Sequence, residues 1–305
     1  MRNAAIHLLV VLVAPPFLLG VIGRTKAAFA GRSGPSLFQP YYDLVRLFGK
    51  GSVLSTTTTG IFFAGPVLAF VAPVAASLLI PFGSTRAPVS FTGDLILFAY
   101  LLALSRFFTA AAALDTGSAF EGMGASREVS FSCLAEPALF FGLLVIARIS
   151  GSLSLSPMLA HPWSLGWLTS GASLVLVVAG WFIVLLAENS RIPFDDPNTH
   201  LELTMIHEVM VLDHGGPSLG LVLYGSAIKL FVLGALLMRV AIPFGSPSPW
   251  LSGIVFFAGM LLLAILIGVV ESVMARVRLV RVPQLLVTAC LLTAFGMLLL
   301  VRTAP

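Results

Sequence analysis

Eight runs of apolar residues, at about 4–23, 60–82, 94–115, 134–153, 167–188, 217–239, 250–271 and 282–302, leave this chain few folds to choose from. A helix rises about 1.5 Å per residue, so roughly 20 residues cross the ~30 Å hydrocarbon layer of a bilayer while pairing every backbone N–H and C=O internally. Charged residues fill 10% of the 305 positions and hydrophobic ones 58%, against roughly 25% charged in soluble domains. The chain therefore reads as an all-α, polytopic integral membrane protein of about eight transmembrane helices, with residues 1–305 forming a single helical domain. The lipid bilayer is its first partner, in a cell (inner or cytoplasmic) membrane crossed several times, and no nucleic-acid partner is expected. No internal repeat is visible, which weakens a free-standing ion or solute transporter, because many transporter folds carry inverted repeats.

The first run starts after Arg2 and precedes Ala28-Phe29-Ala30, as a cleaved signal sequence would, but its apolar core is too long and Arg24 and Lys26 follow it. It is read as an uncleaved first helix. With the N-terminus outside, the loops after helices one, three, five and seven hold Arg24, Lys26, Arg32, Arg46, Lys50, Arg127, Arg191, Arg276, Arg278 and Arg281, and the outer side only Arg2, Arg86, Arg239 and Arg302. That bias satisfies the positive-inside rule. Of the acids, only Asp94 falls outside, so the cytoplasmic face gathers both signs of charge and suits the docking of a protein arm. Residues 35–50 have a helical period but too much charge to cross. Gln39, Asp43, Arg46 and Lys50 share one face and Phe38, Tyr41, Val45 and Phe48 another, as in an amphipathic helix lying in the interface.

Directly after the fifth run, Leu186 to His214 (LAENSRIPFDDPNTHLELTMIHEVMVLDH) carries six carboxylates, three histidines and Arg191. Ionisable groups at bilayer depth persist where they line a polar cavity, relay protons or dock a partner. Pro193 and Pro197 forbid a continuous helix, while Asp196-Pro197 is a good start for a new one ending at Gly215-Gly216. At 100° per residue, His200, Thr204, His207, Glu208 and His214 fall on one side and Leu201, Met205, Val209 and Leu212 on the other. Glu202 and Asp213 break this division. A carboxylate among apolar groups must be paired or must raise its pKa, as a proton carrier would, so either a relay or a salt bridge to Arg191 or Arg127 is expected. The histidines are spaced by seven, about 10 Å apart, too far to share one metal ion. No metal site, catalytic residue or bound cofactor is assigned to this cytoplasmic acidic segment, about 188–215.

Within the spans, Arg106 and Lys229 fall near mid-depth, and Lys229 should face the bundle interior and an acid. Glu136, Glu188, Asp115 and Glu271 fall at cytoplasmic-side ends, within snorkelling range of water. Together with Asp195, Asp196, Glu202, Glu208 and Asp213 they form a candidate chain of proton- or ion-coupling groups, unless each is an isolated ion pair fixing helix rotation. Cys133 and Cys290, far apart in apolar context, read as buried small hydrophobes rather than cluster ligands.

The run Glu188 to Asp195 (ENSRIPFD) and Gly124 to Glu128 (GASRE) ahead of Glu136 resemble the eight-helix membrane subunit shared by respiratory complex I, where it is subunit 1 of the NADH-quinone oxidoreductase, and energy-converting nickel–iron (NiFe) hydrogenases. Gly31 to Lys50 resembles that family's first cytoplasmic loop and amphipathic helix, and Leu114 to Glu128 (LDTGSAFEGMGASRE) looks most like its formate hydrogenlyase and hydrogenase-4 branch. The resemblance implies a non-catalytic subunit without a redox cofactor of its own, coupling a peripheral electron-transfer arm to proton or sodium translocation. It implies partners: hydrogenase-like large and small subunits and an iron–sulfur subunit, carrying the NiFe centre and iron–sulfur clusters, and antiporter-like membrane subunits. It places Glu136, Glu188, Asp195 and Glu202 on the family's acidic positions and Arg127 and Arg191 on its basic ones; Arg46, Lys50, Arg127 and Arg191 are then candidates for arm docking or charge pairing. After Leu203 the chain departs from the complex I pattern, with Thr204-Met205-Ile206 and Met210-Val211-Leu212 where that pattern helps form a quinone cavity, a departure that puts quinone binding in doubt. The alternatives are the quinone-site subunit of a complex I-like oxidoreductase and a free-standing transporter.

Overall fold

A computed structural model describes residues 2–83, 86–160, 163–195, 205–243 and 248–303. Its helices are α1 (Arg2–Phe29), α2 (Gln39–Phe48), α3 (Gly60–Ser77), α4 (Asp94–Asp115), α5 (Ala119–Ser150), α6 (Leu155–Ala160), α7 (Trp163–Glu188), α8 (Gly216–Ala241), α9 (Pro249–Val273) and α10 (Val282–Thr303). Among the described residues, eight helices are long and apolar enough to cross a membrane; the short α2 and α6 are not among them. The chain is thus all-helical and multi-pass. α8 is the best-covered span, packing against α1, α3, α7 and α9, while α10 lies between α5 and α7.

Lipid tails are as apolar as leucine, so helices in a bilayer associate through close packing, and small residues set how near their backbones come. An added Cβ at Gly225 of α8 would stand 2.1 Å from the carbonyl oxygen of Ala69 in α3, and one at Gly142 of α5 would stand 2.1 Å from the Trp181 ring nitrogen. At Gly253, by contrast, a Cβ would meet nothing within 4 Å. Gly225→Val should force α3 from α8 and cost about 1–3 kcal/mol or more, whereas Gly253→Ala should be silent. Thermal unfolding in detergent checks this; equal midpoints would refute the close packing of α3 on α8.

Pro15 and Pro16 inside α1 lack the N–H groups that would bond back to Val11 and Leu12. Tyr224 of α8 donates its hydroxyl to the Leu12 carbonyl and Tyr41 of α2 donates to that of Val13. The weakened stretch of α1 is thereby tied to α2 and α8, and a crevice opens between the three. α2 turns Tyr42, Val45 and Phe48 outward, each well exposed, and Asp43, Leu44 and Leu47 toward that crevice. An exposed apolar stripe on a helix too polar to span is what an interfacial helix presents to lipid.

α7 stops inside the bundle. Its last residue, Glu188, pairs with Arg106 and Lys229, which lie near the middles of α4 and α8. Irregular backbone at such depth is tolerated only where protein covers it or where it lines a cavity. Both hold here: Asn189, Ser190, Phe194 and Asp195 are buried, and several of the same residues border the crevice.

Four expectations are corrected. The fourth span is the 32-residue α5, which starts at Ala119 rather than near 134, so Glu136 sits near its middle and not at its edge. Apolar scanning misses the extension because its first turns, Ala119 to Cys133, are polar yet helical. Residues 205–214 do not continue an α-helix but form turns around a short 3-10 helix, Glu208–Val211; Leu212 and Asp213 are exposed and His214 is buried against Phe62. Glu188 and Glu271 are buried in ion pairs instead of reaching for water. Cys133 is exposed on α5 rather than buried.

Candidate functional site

The deepest charges meet at Arg106. Its Nη1 lies 2.6 Å from Oε1 of Glu188 and its Nη2 2.7 Å from Oε1 of Glu136. Lys229 approaches the other oxygen of Glu188 at 3.6 Å. Two cations on one buried carboxylate offset the desolvation that any one of these charges would suffer alone. The Glu188 side chain is 9% exposed but that of Glu136 is 44% exposed, so the network runs from the core of the bundle to its wall. A cavity of about 100 Å³ opens there between α4, α5 and α7.

A second group surrounds the fully buried Glu271 carboxylate of α9, which lies 2.9 Å from Lys26 of α1 and 3.3 Å from Arg191. A third centres on Asp195. One of its oxygens lies 2.9 Å from Arg276, and the other accepts the backbone N–H groups of Ile206 at 3.0 Å and His207 at 3.1 Å. Arg127 donates to the carbonyl of Met205 at 3.0 Å, and Glu121 accepts from the N–H of Asp213 at 2.9 Å. Charged side chains from α5 and from the 191–195 turn therefore bond to the backbone of 205–214, which explains why an amphipathic pattern does not become a helix there. Tertiary partners satisfy groups that a helical ladder would otherwise use.

Lys26, Arg191, Glu271, Asp195, His207 and Glu208 form the polar end of the crevice, which measures about 570 Å³ and is otherwise walled mostly by apolar residues of α1, α2 and α8, with Asp43 of α2 among them. The 205–214 segment contributes His207, Val211 and Leu212 to its wall. Burial, with the Lys229 charge adding to it, pushes the His207 imidazole down to about 4. Burial does the same to His214, also to about 4, against the opposing charge of Asp213. Both rings are neutral near pH 7.

The candidate residues thus divide. Glu136, Glu188 and Lys229 share the Arg106 network, while Glu271, Arg191, Asp195 and Glu208 gather around the crevice. Asp115 stands apart and caps α3, accepting from the N–H of Thr59 at 2.6 Å, its hydroxyl at 2.8 Å and the N–H of Phe62 at 3.3 Å. Asp213 is exposed, as are Arg46 and Lys50, and Arg127 supports Met205. Asp196, His200 and Glu202 lie outside the described residues. The spacing of the sequence passes over Lys26, Glu121, Glu128 and Arg276 and leaves Arg106 unassigned. Arg106 had a signal, a cation at mid-span; Lys26 and Arg276 look like ordinary positive-inside residues and carry none.

The sequence profile of the family described as NADH dehydrogenase matches residues 3–302. The chain is 32% identical to hydrogenase-4 component C of Escherichia coli (strain K12), over 88% of this chain and 86% of that one. It is 31% identical to formate hydrogenlyase subunit 4 of the same organism, over 92% of each, and 29% identical to NADH-ubiquinone oxidoreductase chain 1 of Lampetra fluviatilis, over 71% of this chain and 68% of that one. In three dimensions it superimposes with a TM-score of 0.84, at 23% identity and 98% coverage of both, on a chain of the membrane-bound sulfane sulfur reductase, described as an archaeal respiratory membrane complex. With residues 3–302 matched, nearly its whole length, the chain belongs to the NADH dehydrogenase family.

Proposed function

We propose that this protein is the membrane anchor and ion-coupling subunit of a formate hydrogenlyase- or hydrogenase-4-like complex, linking electron transfer in a peripheral arm to proton or sodium translocation. One observation carries the reading: a crevice with ionisable groups gathered at one end lies beside a buried network that ends at a half-exposed carboxylate, Glu136, midway along a membrane-spanning helix. A structural ion pair would have no reason to reach the wall. The N-terminus is outside, by the distribution of basic residues. The exposed Arg46 and Lys50 then lie on the cytoplasmic face, where they would receive the arm. The arm carries nickel–iron-hydrogenase-like large and small subunits and an iron–sulfur subunit, which hold the redox centres. A carboxylate cannot be left against hydrocarbon without a cost of at least a few kcal/mol, so an antiporter-like membrane subunit covers the Glu136 face.

Reversing Arg46 and Lys50 to Glu should release the arm from solubilised membranes at moderate salt while the membrane subunits stay together. Retention of the arm by the doubly reversed protein would count against the docking face. The open crevice favours one further reading, a quinone-site subunit of a complex I-like oxidoreductase. Saturable, inhibitor-sensitive quinone reduction by the purified complex would establish it in place of the hydrogenase reading.

A further inference from the structure

The crevice and the Arg106 network are separate features, and a proton entering one has to reach the other. Two small cavities lie between them, each of about 20 Å³, enough for about one water molecule. The first touches Glu188, Asp195 and Ile206; the second touches His207, Ser226 and Lys229. His207 and Ser226 also border the crevice. Arg106 and Glu128 line both cavities, and of these two only Glu128 can carry a proton at ordinary pH.

Among the described residues, the Glu128 carboxylate has no hydrogen bond or ion pair within contact distance, unlike the other buried acids beside it. Glu188 and Glu136 are clamped by Arg106, Asp195 by Arg276 and two backbone amides, and Glu271 by Lys26 and Arg191. The charges that act on Glu128 come from every side: Arg106 on α4, Glu188 on α7, Lys229 on α8 and Asp195 on the turn after α7. A carboxylate held this loosely between opposed charges is free to change proton occupancy when one of them moves. Across the second cavity His207 presents an Nε2 that is sealed from solvent and has no hydrogen-bond partner among the described residues.

We propose that Glu128 is the relay carboxylate between the crevice and the Arg106 network, with His207 as its gate. A proton from the crevice adds to the neutral His207 ring, the ring releases one from Nε2 to a carboxylate oxygen of Glu128 through one intervening water, and from Glu128 a proton passes on toward Glu188 and Glu136. His207 returns to its neutral form and no electron is transferred. The inference rests on the coupling role proposed above and adds to it a residue with a defined place.

The test uses the intact complex in proteoliposomes, measuring the ion gradient formed per electron pair, with Glu128→Gln, Glu128→Asp and Glu136→Gln compared with the parent. Glu128→Gln should lower the gradient about tenfold or more, Glu128→Asp should restore most of it, and redox turnover by the arm should persist in both. A purely structural Glu128 would be replaced by Gln without loss of gradient. If Glu136→Gln abolishes the gradient and Glu128→Gln does not, the relay through Glu128 is overturned and the coupling reading stands. If both variants pump normally, both fall. Should Glu128→Gln assemble poorly, His207→Phe supplies the second arm: it blocks the gate without touching α5, and unimpaired pumping in that variant also overturns the proposal.

Discussion

Arg106→Gln is expected to cost about 3–5 kcal/mol of stability, the usual penalty for removing one partner of a buried ion pair. The guanidinium is 8% exposed and its two forks hold Glu188 at 2.6 Å and Glu136 at 2.7 Å, so its loss leaves one buried and one half-exposed carboxylate with less compensation. Lys229 would stay near Glu188, but at 3.6 Å it does not replace a guanidinium that bridges Glu188 and Glu136. Arg106→Lys should recover only part of the loss, because a single ammonium cannot reach both acids. Removing the stranded charge as well, in Arg106→Gln with Glu188→Gln, should recover more than Arg106→Lys does. Thermal unfolding in detergent measures all three; an Arg106→Gln protein as stable as the parent would show that the network does not hold α4, α5 and α7 together.

How far these features could be read from the chain depends on the kind of signal each leaves. The spans were legible because a bilayer imposes a single requirement, a long apolar run, and α2 was legible from the period of Phe38, Tyr41, Val45 and Phe48. The start of α5 was not, since hydropathy detects what lipid surrounds, whereas Ala119 to Cys133 is helical for reasons of protein contact: Gly124 packs against the carbonyl of Ile206 and Glu121 holds Asp213. Depth failed for a related reason. Glu188 ends an apolar run and so looks like a residue at the water's edge, yet the end of α7 meets the middles of α4 and α8. The 205–214 segment has a convincing amphipathic period, but Asp195, Arg127 and Glu121 bond to its backbone from outside, and no local pattern records such partners. Acids that share a motif are visible in one dimension; the cations that choose among them, Arg106 and Lys26 above all, are placed by the fold.

The coupling role makes its largest demand on Glu136. Glutamine keeps the shape of glutamate and can still accept from Arg106, but it cannot titrate, and because the Glu136 side chain is already 44% exposed its neutralisation disturbs the buried part of the network least. Glu136→Gln should therefore leave assembly and arm attachment intact while the ion gradient formed per turnover falls to near background. Glu188→Gln should abolish the gradient too, at a greater cost in stability, since Arg106 and Lys229 would then face each other with less negative charge between them. Glu202→Gln, at a position outside the described residues, completes the set. The assay follows hydrogen production or consumption together with the gradient in proteoliposomes. Movement of a cation relative to a carboxylate shifts proton occupancy, so electron transfer in the docked arm needs only to displace the 189–214 segment, which joins α7 to α8 and carries Arg191 and Asp195. Full pumping in all three single variants would remove the basis for a relay and leave Arg106, Glu136 and Glu188 as a lock between helices.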